Sequence, residues 1–506
     1  MDTAPATRPL GEAAARPIAI ALFVGLALVL APFTLVVAPP LQDMPNHLAR
    51  IAILAAIGAV PDLARFYAIE WVAIPNLALD LVAPPLARIV GVDLAGTLFV
   101  VAALVLVATG PIAIQRARHG TVGLAPLLGL VIAHNEILAI GLVNYQFGVG
   151  LALFGVAAWL ALDRRPFLRA AIGFAFAVAT YFCHVMAAGL FGLAIAAIEL
   201  GRLVERRDGR ALAPFLGRLW PAVAAFAALP LLFALSPSAG LGREAGVMWT
   251  VLGKEIGPVI ALRAYEGPAE WVVWAGLAGL AGLALARRAI RIDPTTTILL
   301  GLAVVAYMAA PRAIFDGWLV DQRLPHGMLV LLLGFARVEV PGARPARLVL
   351  AAILALVAVR AADVAMNWRA IDQTTRAFRA AIEPLPRGTT IGVLLADAPK
   401  RSILADATLH LAGHAVVTRS ALVSSLFAER GKQVVHVRPP WTTRVHPGDI
   451  WPPTLAEFEA GAYPFTRDWP ASMGAIVVLH ETGAPRAPLP GWTLAGAGAG
   501  FAIWRR

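Results

Sequence analysis

Long apolar segments joined by short arginine-containing connections constrain this chain more than any other feature. Segments long enough to cross a bilayer, or nearly so, lie near 18–38, 95–114, 122–142, 146–162, 168–183, 186–201, 219–235, 270–286, 296–310, 326–338 and 347–365. Of the 506 residues 59% are hydrophobic and 14% are charged, whereas a soluble domain carries about 25% charge. The pattern predicts a mainly α, polytopic membrane protein with about eleven transmembrane helices.

The first apolar segment, at 17–38, is too long for the apolar part of a signal peptide, which has about 7–15 residues. It ends in Ala-Pro-Pro rather than in a small-residue cleavage site, so we expect an uncleaved first span. The segment 77–91 is interrupted by Asp80, two prolines and Arg88. We therefore predict that 77–91 and 46–60 form interfacial helices rather than spans.

Arginines predict the orientation of these spans. With a cytoplasmic N-terminus, every cytoplasmic connection carries at least two of them: Arg116, Arg118, Arg164, Arg165, Arg169, Arg202, Arg206, Arg207, Arg210, Arg218, Arg287, Arg288, Arg291, Arg337, Arg344 and Arg347. This distribution follows the positive-inside rule. The formal net charge of +11 therefore indicates topology and not nucleic-acid binding.

The composition changes after the last span. We predict a transmembrane domain at 1–366, with its first outer loop at 39–94, and a small extramembrane α/β domain at 367–506. The second domain is predicted to contain strands at Thr390–Leu395 and Ala475–Leu479, a hairpin within Trp492–Trp504, helices near 402–412 and 420–430, and a long ordered loop at 436–470.

The outer loop opens with several polar side chains. Asp43, Asn46 and His47 follow the first span directly, and a spacing of four places Asp43 and His47 on one side of a helix. We interpret Asp43 as a general base and His47 as a residue that orients it or contacts a phosphate. The alternative for Asp43 is an N-cap of a helix that begins near Pro45, and the alternative for His47 is an ordinary interfacial histidine. Two such residues are too few to predict a metal site.

Further ionisable and amide side chains fall on the same predicted face. Such groups cost about 2.5–3.5 kcal/mol at membrane depth, so they usually face a cavity or a partner. Those that we assign to substrate binding, with Asn46, are His134, Glu136, Asn144, Tyr145, His184, Arg312, Asp316, Asp321, Arg323 and His326. The alternatives are helix contacts for His134 and Glu136, an interfacial anchor for Tyr145, packing for His184, and mutual ion pairs for the residues of 312–326.

The sequence contains none of the motifs that are typical of several other chemistries. The chain has no Walker loop, no dinucleotide fingerprint, no nucleophilic serine elbow and no cysteine cluster. Pumps driven by ATP and redox proteins are thereby disfavoured. The single cysteine, Cys183, excludes an intrachain disulfide.

The layout resembles the C-type (GT-C) superfamily of polytopic membrane glycosyltransferases, which includes protein mannosyltransferases, aminoarabinose transferases and bacterial arabinosyltransferases. The resemblance lies in one span, a long outer loop that opens with an acid, two interfacial helices, many further spans and an outer C-terminal domain. In that superfamily the loop typically carries an acidic pair and then an aromatic residue or histidine. Asp43 matches the first acid, Met44 stands at the second, and His47 lies near the following position.

The resemblance implies an enzyme that transfers a sugar, with inversion, from a polyprenyl-phosphate donor to a glycan or lipid acceptor. Asp43 would activate the acceptor hydroxyl, and Arg312, Arg323 or His326 would hold the departing phosphate. We expect the bacterial inner membrane, a cytoplasmic N-terminus, a periplasmic C-terminal domain, membrane lipids as partners and no nucleic acid. The need for a divalent cation, Mg²⁺ or Mn²⁺, is left open.

A different class of function is also compatible with this layout. Met44 in place of a second acid favours a non-catalytic transporter or a polysaccharide-export scaffold. Transporters often contain repeats with paired broken helices, and no such repeat is visible in the sequence, which weighs against this alternative.

Overall fold

Helices account for 64% of the chain in the computed structural model, which describes residues 12–205, 216–240, 246–314, 317–397, 407–447, 451–479 and 486–506. The helices are α1 Glu12–Leu30, α2 Met44–Ala56, α3 Pro61–Phe66, α4 Ala78–Val90, α5 Val92–His119, α6 Leu128–Val131, α7 Glu136–Ile140, α8 Val143–Ala161, α9 Pro166–Cys183, α10 Val185–Glu205, α11 Trp220–Phe226, α12 Leu229–Leu235, α13 Ile256–Leu262, α14 Pro268–Ala286, α15 Pro294–Ala309, α16 Val320–Phe335, α17 Ala343–Ile382, α18 His414–Arg419, α19 Leu455–Glu459 and α20 Trp469–Ser472. The prediction of a mainly helical chain is thus confirmed.

Seven helices in the described part of the chain are long and apolar enough to cross a membrane. They cover Arg16–Leu35, Val92–His119, Val143–Ala161, Pro166–Cys183, Val185–Glu205, Pro268–Ala286 and Ala343–Ile382. Shorter apolar helical stretches occupy Ala125–Ile140, Trp220–Leu235 and Pro294–Ala309, where three further spans are predicted. The sequence segment at 326–338 coincides with most of α16. A multi-pass membrane protein is therefore supported, while a count of eleven spans stays a prediction.

The two helices of the first outer loop differ in their surroundings. Helix α2 is buried along most of its length and packs on α4 and on the C-terminal helix α18. It is therefore enclosed by the protein, and its interfacial position relative to the membrane stays a prediction. Helix α4, in contrast, exposes Leu81, Val82 and Ile89, as an amphipathic helix at a membrane surface would.

The C-terminal region contains a five-stranded mixed sheet. The strands of the structure are β1 Tyr67–Ile69, β2 Val247–Met248, β3 Ile290–Arg291, β4 Ala313–Ile314, β5 Arg337–Val338, β6 Thr390–Leu395, β7 Leu422–Val423, β8 Val435–Val437, β9 Ala475–Leu479, β10 Thr493–Gly498 and β11 Phe501–Arg505. The sheet order is β10-β11-β9-β6-β7, in which β6 is parallel to β7 and β9 and the other pairs are antiparallel. Both predicted strands and the terminal hairpin are confirmed.

The connections of this region depart from the prediction. The stretch 420–430 is not a helix, because Ser420 adopts a left-handed backbone conformation (φ 53°) that ends α18 one residue earlier. The other predicted helix, near 402–412, lies partly outside the described residues, and its described part, 407–412, forms a turn followed by the start of a 3-10 helix. The predicted loop at 436–470 contains short helical turns, among them α19, which begins with a capping box at Thr454.

The first outer loop and the C-terminal region share one hydrophobic core. Strand β1 pairs with β8 in antiparallel register, and the hydroxyl of Tyr67 donates a hydrogen bond of 3.0 Å to the carbonyl of Ala421. Fully buried apolar side chains from both parts of the chain, such as Phe66 and Phe378, belong to the same cluster. The C-terminal region is therefore fixed over the start of the first loop, where Asp43 lies.

A continuous helix joins the membrane part to the C-terminal sheet. Helix α17 runs for 40 residues and passes the predicted domain boundary at 366 without a break. Near its end Arg379 forms two hydrogen bonds of 2.7 Å with the carboxylate of Asp93, at the start of α5. Arg379 thus ties the C-terminal end of α17 to a membrane-spanning helix.

Candidate functional site

Asp43 lies at the N-cap position of α2, yet its side chain makes no capping hydrogen bond. The backbone holds the residue in place: its N–H donates to the carbonyl of Ile140 (3.0 Å), and its own carbonyl accepts from the N–H of His47 (3.0 Å). The capping interpretation therefore does not account for the carboxylate.

Gly141 supports Asp43 from the α7–α8 turn. Its φ of +101° lies in the region that favours glycine, and a Cβ there would lie 2.7 Å from the Cβ of Asp43. The carbonyl of Gly141 also accepts a hydrogen bond of 2.9 Å from Nε2 of His47. This contact fixes the tautomer of His47 and orients its ring, although the bond is to the backbone and not to Asp43.

We expect Gly141→Ala to destabilise the protein by at least about 2 kcal/mol, because it combines an unfavourable φ with overpacking against Asp43. Thermal unfolding in detergent measures the effect as a lower Tm. Gly58→Ala is the matched control, because no atom lies within 4 Å of the added methyl group at Gly58. Equal Tm values for the two variants would contradict the close fit described for Gly141.

A histidine of the C-terminal region, His410, lies next to Asp43. Nε2 of the buried His410 lies 3.5 Å from Oδ1 of Asp43, and its ring packs on Phe427 with a centroid distance of 4.8 Å. Gly413 permits this approach, because a Cβ there would lie 2.8 Å from the backbone carbonyl of Pro45. The sequence analysis missed His410, and no local motif marks it.

Arg323, with Arg50, is one of two arginines whose positive charge acts on Asp43. Its guanidinium donates to Nε2 of His184 (3.0 Å) and to the carbonyl of Trp318 (2.7 Å), while its own carbonyl accepts from the hydroxyl of Tyr145 (2.8 Å). Nε of Arg323 is buried and has no hydrogen-bond partner among the residues that the structure describes. The structure thus brings together Asp43 and three of the residues assigned to substrate binding: Arg323, His184 and Tyr145.

Burial decides the charge states around Asp43. It raises the pKa of Asp43 to about 7, against the opposing effect of the positive charges of Arg323 and Arg50. Burial also lowers the pKa of His47 and of His410 to about 3, so that both imidazoles are neutral at pH 7. Asp43 therefore exchanges its proton near neutral pH, as is suitable for a general base.

Several buried polar atoms near Asp43 have no hydrogen-bond partner in the described structure. They are Nδ2 of Asn46, Nδ1 of His47, both ring nitrogens of His410 and Nε of Arg323. Buried polar groups are nearly always hydrogen-bonded in proteins, so such atoms indicate where a ligand or water binds.

A cavity of about 1110 Å³ lies beside the site, on the side of the C-terminal region. Trp318, whose carbonyl binds Arg323, lines this cavity together with Phe427, which packs on His410. The rest of its lining is Val423, Leu426, Ala428, Glu429, Arg430, Lys432, Gln433, His436, Val437, Pro439, Thr442, Val445, His446, Pro447 and Trp451. The cavity therefore has both aromatic and hydrogen-bonding side chains in its lining, and Trp318 and Phe427 connect it to the residues around Asp43.

The remaining predicted site residues lie in contacts within the protein. Nε2 of His134 donates to the carbonyl of Val29, Glu136 pairs with Arg263 at 2.6 Å, and Asn144 bonds Leu79 and Asn76. Asp321 pairs with Arg312 and Lys254, and His326 is buried 3.5 Å from the amide nitrogen of Asn135. Asp316 lies outside the described residues. A role for these residues in substrate binding stays a prediction.

The surroundings of Asp43 do not match a divalent-cation site of the Mg²⁺ or Mn²⁺ type, which prefers several oxygen ligands. The buried side chain of Met44, at the position of the second acid, packs towards Gly96. In the part of the chain that the structure describes, no three His, Cys, Asp or Glu side chains come together as ligands. We therefore derive no step through a cation.

Comparisons with protein-family models, with curated proteins and with solved structures found no match to this chain.

Proposed function

We propose that the protein is a membrane glycosyltransferase of the GT-C type, which moves a sugar from a polyprenyl-phosphate donor to a glycan or lipid acceptor. The observation that carries the proposal is the meeting of Asp43 with His410 and with the charge of Arg323. Two residues that contact this group, Trp318 and Phe427, line the large cavity. A carboxylate that titrates near pH 7, a neutral imidazole and a guanidinium with an unpaired donor are the groups that such a transfer requires.

In the proposed reaction Asp43 accepts the proton of an acceptor hydroxyl. The acceptor oxygen attacks the anomeric carbon of the donor while the bond from that carbon to the phosphate oxygen breaks. The bond electrons leave with the polyprenyl phosphate, and the attack from the opposite side inverts the anomeric centre. His410, neutral and 3.5 Å from Asp43, positions the carboxylate.

Arg323 is the residue of the predicted 312–326 cluster that we propose holds the leaving phosphate. Its guanidinium is fixed by two contacts, to His184 and to Trp318, and its Nε has no partner in the described part of the chain. Arginine presents a rigid fork of donors that suits a phosphate. Arg312 is less suited, because it is engaged with the buried Asp321.

The large cavity is the proposed approach for the acceptor. Trp318, Phe427 and Trp451 offer apolar faces for sugar rings, and Gln433 and His436 offer hydrogen-bonding groups. In the predicted orientation this cavity opens to the periplasm of a bacterial inner membrane. The C-terminal region would then select the acceptor, because it supplies most of the cavity wall.

The test is to incubate the purified protein with a panel of polyprenyl-phosphate sugars and candidate glycan acceptors. We expect loss of one donor and formation of polyprenyl phosphate, followed by thin-layer chromatography or mass spectrometry. Absence of donor consumption across the panel would favour the non-catalytic transporter or scaffold.

The pH dependence of the same assay examines the role of Asp43. Because its pKa is about 7 and the ionised form is the base, the rate should rise from pH 6 to pH 8 and then level off. At pH 6 we expect roughly one-tenth of the plateau rate, since about that fraction of the carboxyl is ionised. A rate that is constant over this range would argue against Asp43 as the base.

A further inference from the structure

A second polar cavity lies at the opposite ends of the helices that reach the candidate site. Helix α9 begins at Pro166, beside this cavity, and ends at Cys183, next to the His184 that binds Arg323. Its 18 residues span about 27 Å. The cavity is therefore across the membrane part of the protein from Asp43, and the proposed transfer reaction does not use it.

A closed network of charges forms the inner wall of this cavity. Arg169 and Arg202 each bind both Glu199 and Asp163, at N–O distances from 2.6 to 3.3 Å. The indole of Trp159 donates a further hydrogen bond of 2.9 Å to Glu199. Two arginines are thus balanced by two carboxylates, and this wall brings no net charge.

The rim of the cavity carries a net positive charge. Arg164 and Arg218 line it, are exposed, and make no hydrogen bond or ion pair with another residue that the structure describes. The remaining acid of the lining, Glu205, offsets only one of the two. The space between them measures about 610 Å³, within the range of small-molecule pockets.

Exposed apolar side chains lie beside the same rim. The rings of Phe167 and Trp220 pack at 5.0 Å, and Phe167 is 79% exposed. Val223, one turn after Trp220, is 68% exposed. Aromatic residues beside arginines at the end of an apolar helix are typical of the membrane–water interface. A soluble anion would contact only the arginines, whereas a lipid would contact both the arginines and these apolar side chains.

We propose that this cavity binds the phosphate headgroup of an anionic phospholipid. Arg164 and Arg218 donate to the phosphate, the glycerol lies near Trp220, and the acyl chains follow the exposed faces of Phe167 and Val223. In the predicted orientation the lipid belongs to the cytoplasmic leaflet, where basic pockets between transmembrane helices bind anionic headgroups.

Native mass spectrometry of the full-length protein, released from detergent with phosphatidylglycerol or phosphatidylcholine, tests the proposal. We expect the protein to retain phosphatidylglycerol in preference to phosphatidylcholine. The double variant Arg164→Gln/Arg218→Gln should lose about tenfold or more in phosphatidylglycerol affinity, because each arginine contributes an electrostatic contact. Thermal unfolding without added lipid should be unchanged, since both side chains are exposed.

Arg165→Gln is the matched control, because Arg165 is exposed in the same turn but does not line the cavity. It should bind phosphatidylglycerol as the unmodified protein does. Equal loss with Arg165→Gln, no loss with the double variant, or equal retention of phosphatidylcholine would overturn the proposal. Displacement of the lipid by millimolar inorganic phosphate would assign the arginines to a free anion and would likewise overturn it. None of these outcomes depends on glycosyltransferase activity.

Discussion

Replacing Asp43 by Asn is expected to reduce sugar transfer at least about 100-fold, because a well-placed general base contributes roughly 10²–10⁴ to a rate. Asparagine has nearly the same shape as aspartate but does not accept the acceptor's proton. The carboxylate makes no capping hydrogen bond, so the fold should tolerate the change. The rate of donor consumption at pH 8 measures the loss.

Asp468→Asn serves as the control, because Asp468 is an exposed carboxylate of the C-terminal region with no capping hydrogen bond. It should retain full activity, and both variants should unfold at the temperature of the unmodified protein. If Asp43→Asn kept its activity with the same product, Asp43 would have no part in the chemistry.

Removal of Asp80 is expected to cost about 3–5 kcal/mol of stability, because it leaves the buried guanidinium of Arg50 without its partner. Nε and Nη2 of Arg50 both donate to Oδ1 of Asp80, at 3.0 and 2.8 Å, and both side chains are only 1% exposed. The pair joins α2 to α4. A markedly lower Tm of Asp80→Ala in detergent would show the effect.

An exposed ion pair, between Glu70 of the same loop and Arg430 of the C-terminal region, offers a comparison. Glu70 and Arg430 lie 2.9 Å apart, but their side chains are 41% and 77% exposed, so Glu70→Ala should leave the Tm nearly unchanged. The double variant Arg50→Met/Asp80→Leu should recover much of the stability that Asp80→Ala loses, because it removes both charges. Similar Tm values for Asp80→Ala and Glu70→Ala would contradict a special role for burial.

Elements with a strong local pattern could be predicted from the sequence. Thr390–Leu395 and Ala475–Leu479 are continuous apolar runs bounded by turn residues, and they form strands with those bounds. Asp43 stood out because a carboxylate follows the first apolar segment directly. Periodicity and position along the chain are enough for such features, since they depend on neighbouring residues.

Partners that come from distant parts of the chain could not be predicted in this way. His410 reaches Asp43 only because β8 pairs with β1 and because Gly413 lies against Pro45. Likewise, Arg312 and Arg323 lie close together in the sequence. In the structure Arg312 pairs with Asp321, whereas the charge of Arg323 acts on Asp43. Long-range packing, which no spacing rule encodes, decides between such residues.

The uninterrupted helix α17 limits how this site is able to open. Its 40 residues form a rod of about 60 Å whose far end is clamped to Asp93 by Arg379. The helix has no break at 366 that could act as a hinge between the membrane part and the sheet. For the proposed transfer, we expect the donor to enter by a tilt of the whole rod or by a small rearrangement of the turn that carries His410, and spin labels on α17 and on that turn would separate the two motions.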